Sequence, residues 1–378
     1  MSERTAGQAS PVETLGPVPG AGSVLVVAPS ASAVSPAGVV GGLPLITRIV
    51  RAAKAAGYEQ IFVCDMGPGI RRLAEGAGAV VLTPSPPIPH RSRRRTVVVP
   101  ANVVPQPRWL RSLLDMPTEP ELLYLDGASV VVVETERSHV VIAAAARAAS
   151  AAGLVSELSR VFEPTTTPLA PDGRFPLGSA GDVARAETWL LRSLIKHNEG
   201  FMSRHFERRI SLALTRRLAS TSVTPNVMTL TSLAIGLAGA PFFLSAAPAL
   251  QLTGALLFLV HSVLDGCDGE LARLKFLQSR GGAILDFWGD NTVHVAVFVC
   301  IAVGWSLSAG TAEDRAVSAN SPAAARLAAK LANRDFIYLV VVLSAFGKAS
   351  WFLAVVAVGA PAFLLVVLWS ERRHGRFR

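Results

Sequence analysis

Apolar residues follow two different patterns along the chain. Before residue 220 they come in short runs, such as Val24-Leu25-Val26-Val27-Ala28 and Val130-Val131-Val132-Val133. These runs have strand length, and none approaches the ~20 apolar residues that a membrane helix needs. Ser23 to Ala28, Gln60 to Cys64, Ala79 to Leu82, Thr96 to Val99, Glu121 to Leu125 and Ser129 to Glu134 read as strands. Between the first two, Leu45, Ile46, Ile49, Val50 and Ala53 recur at helical spacing and stop at Gly57; Ile70 to Ala74 reads as a second helix. Strands alternating with helices predict an open α/β sheet over residues 23–183. Residues 1–22 are rich in Pro and Gly and lack the charged-then-apolar layout of a signal peptide, so they read as a disordered tail.

After residue 225 the runs lengthen. Val227 to Ser245, Leu250 to Leu264, Ala283 to Ser308, Phe336 to Phe346 and Ala349 to Trp369 are apolar segments. The second continues as a more polar helix to about Phe276. This pattern predicts an all-α polytopic membrane domain over residues 223–378. Residues 184–222 read as an amphipathic helix lying on the membrane ahead of it, with arginines facing anionic lipid. Those arginines, and the four among Glu371 to Arg378, place both ends of the domain and the N-terminal domain in the cytoplasm. Two cytoplasmic ends require an even number of spans, whereas five apolar segments are counted.

Composition agrees with a chain divided in this way. The 378 residues are 51% hydrophobic and only 17% charged, against ~25% charged in ordinary soluble domains. That excludes an intrinsically disordered chain. Three cysteines, at 64, 267 and 300, exclude a disulfide scaffold. The net charge of +9 is largely a basic belt against the cytoplasmic membrane, so the expected partners are lipid and phosphate rather than nucleic acid.

One stretch carries chemistry. Asp265 and Asp268 are three residues apart near the end of the second apolar helix, and Asp286 and Asp290 are four apart near the start of the third. Each pair shares a helix face. If the two helices are antiparallel neighbours, four carboxylates converge at one depth near the membrane boundary. Such a cluster is costly unless a cation binds it. Oxygen ligands without Cys or His favour Mg²⁺ or Mn²⁺, and paired ions suit phosphoryl transfer. Gly269 and Gly282 leave room for a nucleotide, and Arg273, on the side of Gly269, suits a phosphate.

The spacing D-x2-D-G-x2-A-R-x8-G-x3-D-x3-D, filled here by Asp265, Asp268, Gly269, Ala272, Arg273, Gly282, Asp286 and Asp290, resembles the signature of CDP-alcohol phosphotransferases. The resemblance implies a six-helix membrane core, usually a homodimer. It implies transfer of a phosphoalcohol from a CDP-linked donor, such as CDP-diacylglycerol, to an acceptor alcohol, with release of CMP. Asp265, Asp268 and Asp286 then hold the metals. Asp290 is the general base and a possible further ligand, and Gly269, Ala272, Arg273 and Gly282 line the CDP site. Thr224-Pro225-Asn226 resembles the family's entry to its first helix, with Thr224 as cap and Asn226 and Thr229 near the nucleotide. Lys275, Arg280 and Arg334 are candidates for an acceptor's phosphate. His261 and His294 read as interior helix residues and Cys267 as a variable position. The family's fourth helix has no apolar counterpart in residues 309–334, which accounts for the odd count.

The N-terminal half resembles sugar-phosphate cytidylyltransferases in layout. Yet its first loop, Pro29 to Pro36, has neither Gly-rich nor basic character, Leu43 rather than Lys precedes Pro44, and no acid follows Thr96 to Val99. Asp126 is the spare carboxylate, and Arg91, Arg93, Arg94 and Arg95 form a basic cluster. The domain therefore reads as a catalytically degenerate relative. The alternatives are a bifunctional cytidylyltransferase and inositol-phosphate phosphotransferase, or an inactive membrane scaffold.

Overall fold

The computed structural model describes residues 22–82, 94–127, 130–169, 171–195, 206–308 and 336–353. The chain divides into two compact units, Met1–Trp189 and Leu190–Arg378.

In the first unit the valine-rich runs become the centre of a seven-stranded sheet. Strands β1 (Ser23–Ala28), β4 (Gln60–Cys64), β5 (Val80–Leu82) and β6 (Arg94–Pro100) are mutually parallel, with β1 flanked by β4 and β6. Strand β9 (Val131–Thr135) runs antiparallel between β6 and β8 (Leu122–Leu125), and β10 (Glu163–Thr166) closes that edge parallel to β8. The open α/β sheet is therefore mixed. Val24 to Ala28 have no exposed surface, as continuous apolar strands covered on both faces should. Val24, Val26 and Ala28 enter one core cluster with residues of helices α4 (Ser138–Arg147) and α5 (Ala151–Leu158).

Helix α1 (Leu45–Ala56) ends where expected, on Gly57 at φ 95°. Ahead of it, β2 (Val39–Val40) and β3 (Leu43–Pro44) form a hairpin through Gly41 and Gly42, both at positive φ. Helices α2 (Pro68–Gly76) and α3 (Pro107–Asp115) each carry a proline in the first turn. A second ribbon pairs β7 (Val103–Pro105) with β11 (Arg174–Pro176). It brings the buried Arg174 guanidinium onto Asp126, whose side chain is 5% exposed, and over the ring of Trp109. Helix α6 (Gly181–Arg192) belongs mostly to this unit, since Glu187 accepts the Gly41 amide.

The second unit is helical: α7 (Arg208–Ala219), α8 (Pro225–Gly239, extended by a 3₁₀ turn to Leu244), α9 (Pro248–Lys275), α10 (Arg280–Ser308) and α11 (Phe336–Ala345). Three segments among the described residues are long and apolar enough to cross a membrane: Pro225–Leu244, Pro248–Lys275 and Arg280–Leu307. The amphipathic helix expected over residues 184–222 appears as two, α6 and α7, either side of residues that are not described. Residues 309–334, where the sequence offers no fourth apolar segment, and most of the last apolar segment also lie outside the described residues.

Helix α9 is 28 residues long. At ~1.5 Å per residue that is about 42 Å, more than the ~30 Å hydrocarbon core, so its acidic last turns extend to the membrane boundary. Glycines let the helices approach. A Cβ on Gly304 would lie 2.3 Å from the Phe243 carbonyl oxygen, and one on Gly254 would lie 2.9 Å from that of Gly239. Phe243, Phe258, Val293, Val297, Val340 and Phe352 fill the core between them.

Arg174→Ala leaves Asp126 buried beside no guanidinium. It is expected to destabilise the first unit by about 3–5 kcal/mol, read as earlier loss of protease resistance of residues 22–189 in a urea series on the full chain.

Candidate active site at the ends of two helices

Helix α9 ends on Phe276 in the left-handed conformation, and the Leu277 amide donates to the Ala272 carbonyl. The chain then turns within a few residues, and Ser279 Oγ accepts the Gly282 amide in the first turn of α10. This short link sets the end of α9 beside the start of α10. One carboxylate oxygen each from Asp265, Asp268 and Asp286 lies within 4.8 Å of the others. Asp265 and Asp268 are buried and Asp286 is half-buried. The Thr229 hydroxyl, from α8, donates to Asp268.

A cleft opens on this cluster. Asp268, Gly269, Ala272 and Arg273 of α9 line it together with Gly282 and Asp286 of α10, and Pro225, Asn226 and Thr229 of α8 close it. Eight of the nine were singled out by sequence as parts of one site; Pro225 was read there only as the start of its helix. A Cβ on Gly282 would lie 3.0 Å from Ser279 Oγ and 3.1 Å from Asn226 Oδ1; one on Gly269 would lie 3.1 Å from Arg273 Nη1. Side chains at either glycine would narrow the cleft. Thr224 occupies the N-cap of α8 with Pro225 in its first turn, but its side chain makes no capping bond. The proline alone starts that helix.

The four expected acids divide into three and one. Asp290, one turn beyond Asp286, places Oδ1 3.5 Å from His261 Nε2 and 3.3 Å from His294 Nδ1. His261 is buried, with Nδ1 3.0 Å from the Ser232 carbonyl oxygen. A carbonyl only accepts, so that nitrogen carries the proton. Both histidines therefore belong to the surroundings of Asp290 and are more than interior helix residues. Only the i,i+4 step from Asp290 to His294 was visible in the sequence.

The candidates for an acceptor's phosphate fare differently. Lys275 is buried and donates to the Thr221 carbonyl at 2.7 Å and to that of Leu218 at 3.4 Å. Its ammonium is used to hold the α7–α8 connection and does not line the cleft. Arg280 is exposed at the first residue of α10, and Arg334 lies outside the described residues.

The acid cluster fits a hard divalent cation: oxygen ligands alone, two of them buried, close enough to share an ion.

In the first unit the expected ligand groups are engaged by the fold. Asp126 pairs with Arg174. Arg95 donates to Thr118 Oγ1, the Met116 carbonyl and Glu134, and Arg94 to Gln60; Arg91 and Arg93 lie outside the described residues. In the first loop, Ser32 Oγ donates to the Leu177 carbonyl at 2.6 Å, and Arg48 is buried against the carbonyls of Val40 and Gly41. Burial lowers the Arg48 guanidinium to about 10, against the pull of Glu187.

Residues 222–371 match the family model of CDP-alcohol phosphatidyltransferase. The chain is 39% identical over 122 residues to the bifunctional IPC transferase and DIPP synthase of Thermococcus kodakarensis, covering 32% of this chain and 27% of that protein. It is 37% identical over 125 residues to the protein of the same name from Archaeoglobus fulgidus, covering 32% and 24%. The inner membrane protein YnjF of Escherichia coli is 32% identical over 111 residues, covering 29% and 50%. The similarity thus spans only about a quarter of the bifunctional relatives.

Thr229→Val removes the hydroxyl that orients Asp268. It is expected to weaken Mn²⁺ binding about 10-fold, measured by electron paramagnetic resonance titration of the full chain in detergent.

Proposed function

We propose that the chain transfers a phosphoalcohol group from a CDP-linked donor to an acceptor alcohol, releasing CMP, at the cleft between α8, α9 and α10. The observation that carries this reading is the convergence of Asp265, Asp268 and Asp286 beside Gly269, Arg273 and Gly282. The cytidine diphosphate lies along the cleft, with the glycines admitting it and Arg273 holding a phosphate. Bound Mg²⁺ or Mn²⁺, held by the three aspartates, supplies neutralising charge for the diphosphate and the departing CMP. Asp290 takes the proton of the acceptor hydroxyl. The acceptor oxygen forms a bond to the phosphorus of the transferred group as that phosphorus loses its bond to the oxygen that leaves with CMP. The Ser232 carbonyl fixes His261, and His261 and His294 in turn border Asp290.

The site faces the cytoplasm in this reading, supported by the arginines ahead of α8, and the chain works as a homodimer like members of its family. The donor is a CDP-diacylglycerol-type lipid. The acceptor is a polyol or polyol phosphate, inositol phosphate among them. The first unit does not activate CTP: the pairing of Asp126 with Arg174 and the serine-lined first loop support this. The name of the archaeal relatives favours the second reading, in which both halves are active. Pyrophosphate release from CTP by the full chain would establish that reading and overturn the degenerate one.

Membranes containing the protein, given Mg²⁺, CDP-diacylglycerol and a panel of polyol phosphates, should release CMP and form a new lipid detectable by mass spectrometry. Asp290→Asn should lower kcat by at least ~10² while the protein still inserts in the membrane. Turnover unchanged in that variant would remove Asp290 from the mechanism.

A further inference from the structure

The side of α9 turned away from the cleft carries a buried carboxylate that the proposed reaction does not use. Glu270 has no exposed surface. Three donors surround it, all from α7: Arg208 Nη1 at 2.6 Å and Ser211 Oγ at 2.7 Å on Oε1, and Thr215 Oγ1 at 2.7 Å on Oε2. These residues recur at i, i+3 and i+7, so they form one stripe of α7. One turn before Glu270, Gly266 makes the approach possible: a Cβ there would lie 2.9 Å from Arg208 Nη1. Beyond it, Lys275 fastens the end of the same helix through the carbonyls of Leu218 and Thr221. Gly266 and Glu270 both stand at variable positions of the aspartate signature, and α7 precedes the segment matched by the family model.

A buried carboxylate with three short hydrogen bonds, one from a guanidinium, fixes the rotation of its helix, because any turn about the axis breaks charged contacts away from water. At ~100° per residue, Glu270 lies about 200° around α9 from Asp268. Rotation that relaxes one moves the other the opposite way. Metal coordination tolerates only ~0.2 Å in ligand position. From this geometry we infer that Glu270, clamped by Arg208, Ser211 and Thr215, is a positioning residue: it sets the rotation of α9 and so the placing of Asp265 and Asp268 toward the divalent cation. This rests on the cation-binding reading above. The same clamp makes α7 part of the site's framework, although it contributes nothing to the cleft.

The test uses the full chain in detergent, with Mn²⁺ as the probe. Glu270→Gln and Arg208→Met are each expected to weaken Mn²⁺ binding about 10-fold, as loss of an outer-shell support does. They should also lower kcat for CMP release while leaving the KM for the CDP donor unchanged. A monodisperse Glu270→Gln protein with wild-type Mn²⁺ affinity would overturn the inference. If that variant does not accumulate, Ser211→Ala and Thr215→Val each remove one hydrogen bond and leave the ion pair. A weakened Mn²⁺ affinity in both supports the clamp, and wild-type affinity in both overturns it. Wild-type protein that binds Mn²⁺, loses affinity in these variants and yet releases no CMP would uphold the clamp and overturn the proposed reaction.

Discussion

Three carboxylate oxygens within 4.8 Å of one another are the constraint to which the second unit is built. Each like-charged pair at that distance costs about 3 kcal/mol at an effective dielectric constant near 20, and more as the lipid comes closer. The sequence tolerates this only where water, a cation or donors can reach. Helix α9 meets that condition by its length, which exceeds the hydrocarbon core by about two turns. The turn through Phe276 to Ser279 then returns the chain at once, so that Asp286 enters at the same depth. The glycines of the signature keep the space beside the acids open to a ligand that brings its own charge.

Helix α9 is held from several sides. Thr229 of α8 reaches Asp268 on the cleft side, while Arg208, Ser211 and Thr215 of α7 reach Glu270 on the other. The apolar core with Phe243, Val293 and Val340 holds its earlier turns. Polar contacts near the acidic end and close apolar packing near the other suit a helix that passes from lipid to water. The carboxylates are then placed by contacts on both sides of the helix.

The sequence made the acid set legible because spacing within one helix translates directly into a shared face. Asp265 with Asp268, and Asp286 with Asp290, needed no tertiary knowledge. Six strands of the first unit, β1, β4, β5, β6, β8 and β9, were legible as short apolar runs, whereas β2, β3, β7, β10 and β11 were not. Contacts between distant segments were not. Glu270 meets Thr215 across 55 residues and His261 meets the Ser232 carbonyl across 29, and no local pattern announces either. Lys275 looked available to a phosphate because its carbonyl partners, Leu218 and Thr221, lie at the end of α7 and in the connection after it. The antiparallel placing of β9 was hidden too, since a buried valine strand reads alike in either direction. Helices α4 and α5 escaped because their alanine-rich turns show little contrast between faces.

The two units show how partner, rather than residue type, decides what a carboxylate does. Asp126 stands after a strand at the end of the sheet where a metal-holding acid would be useful, and its side chain is only 5% exposed. Its neighbour, however, is Arg174, delivered by the β7–β11 ribbon and stacked on Trp109. That pairing neutralises the charge within the fold, so nothing remains for a cation to compensate. Asp265, Asp268 and Asp286 instead bring three carboxylates within 4.8 Å of one another, a shared charge that a cation suits. A buried acid opposite an arginine fastens a structure; buried acids opposite each other ask for a ligand. By that distinction the acids of the helical unit suit a bound cation, whereas Asp126 in the sheet is already paired with Arg174.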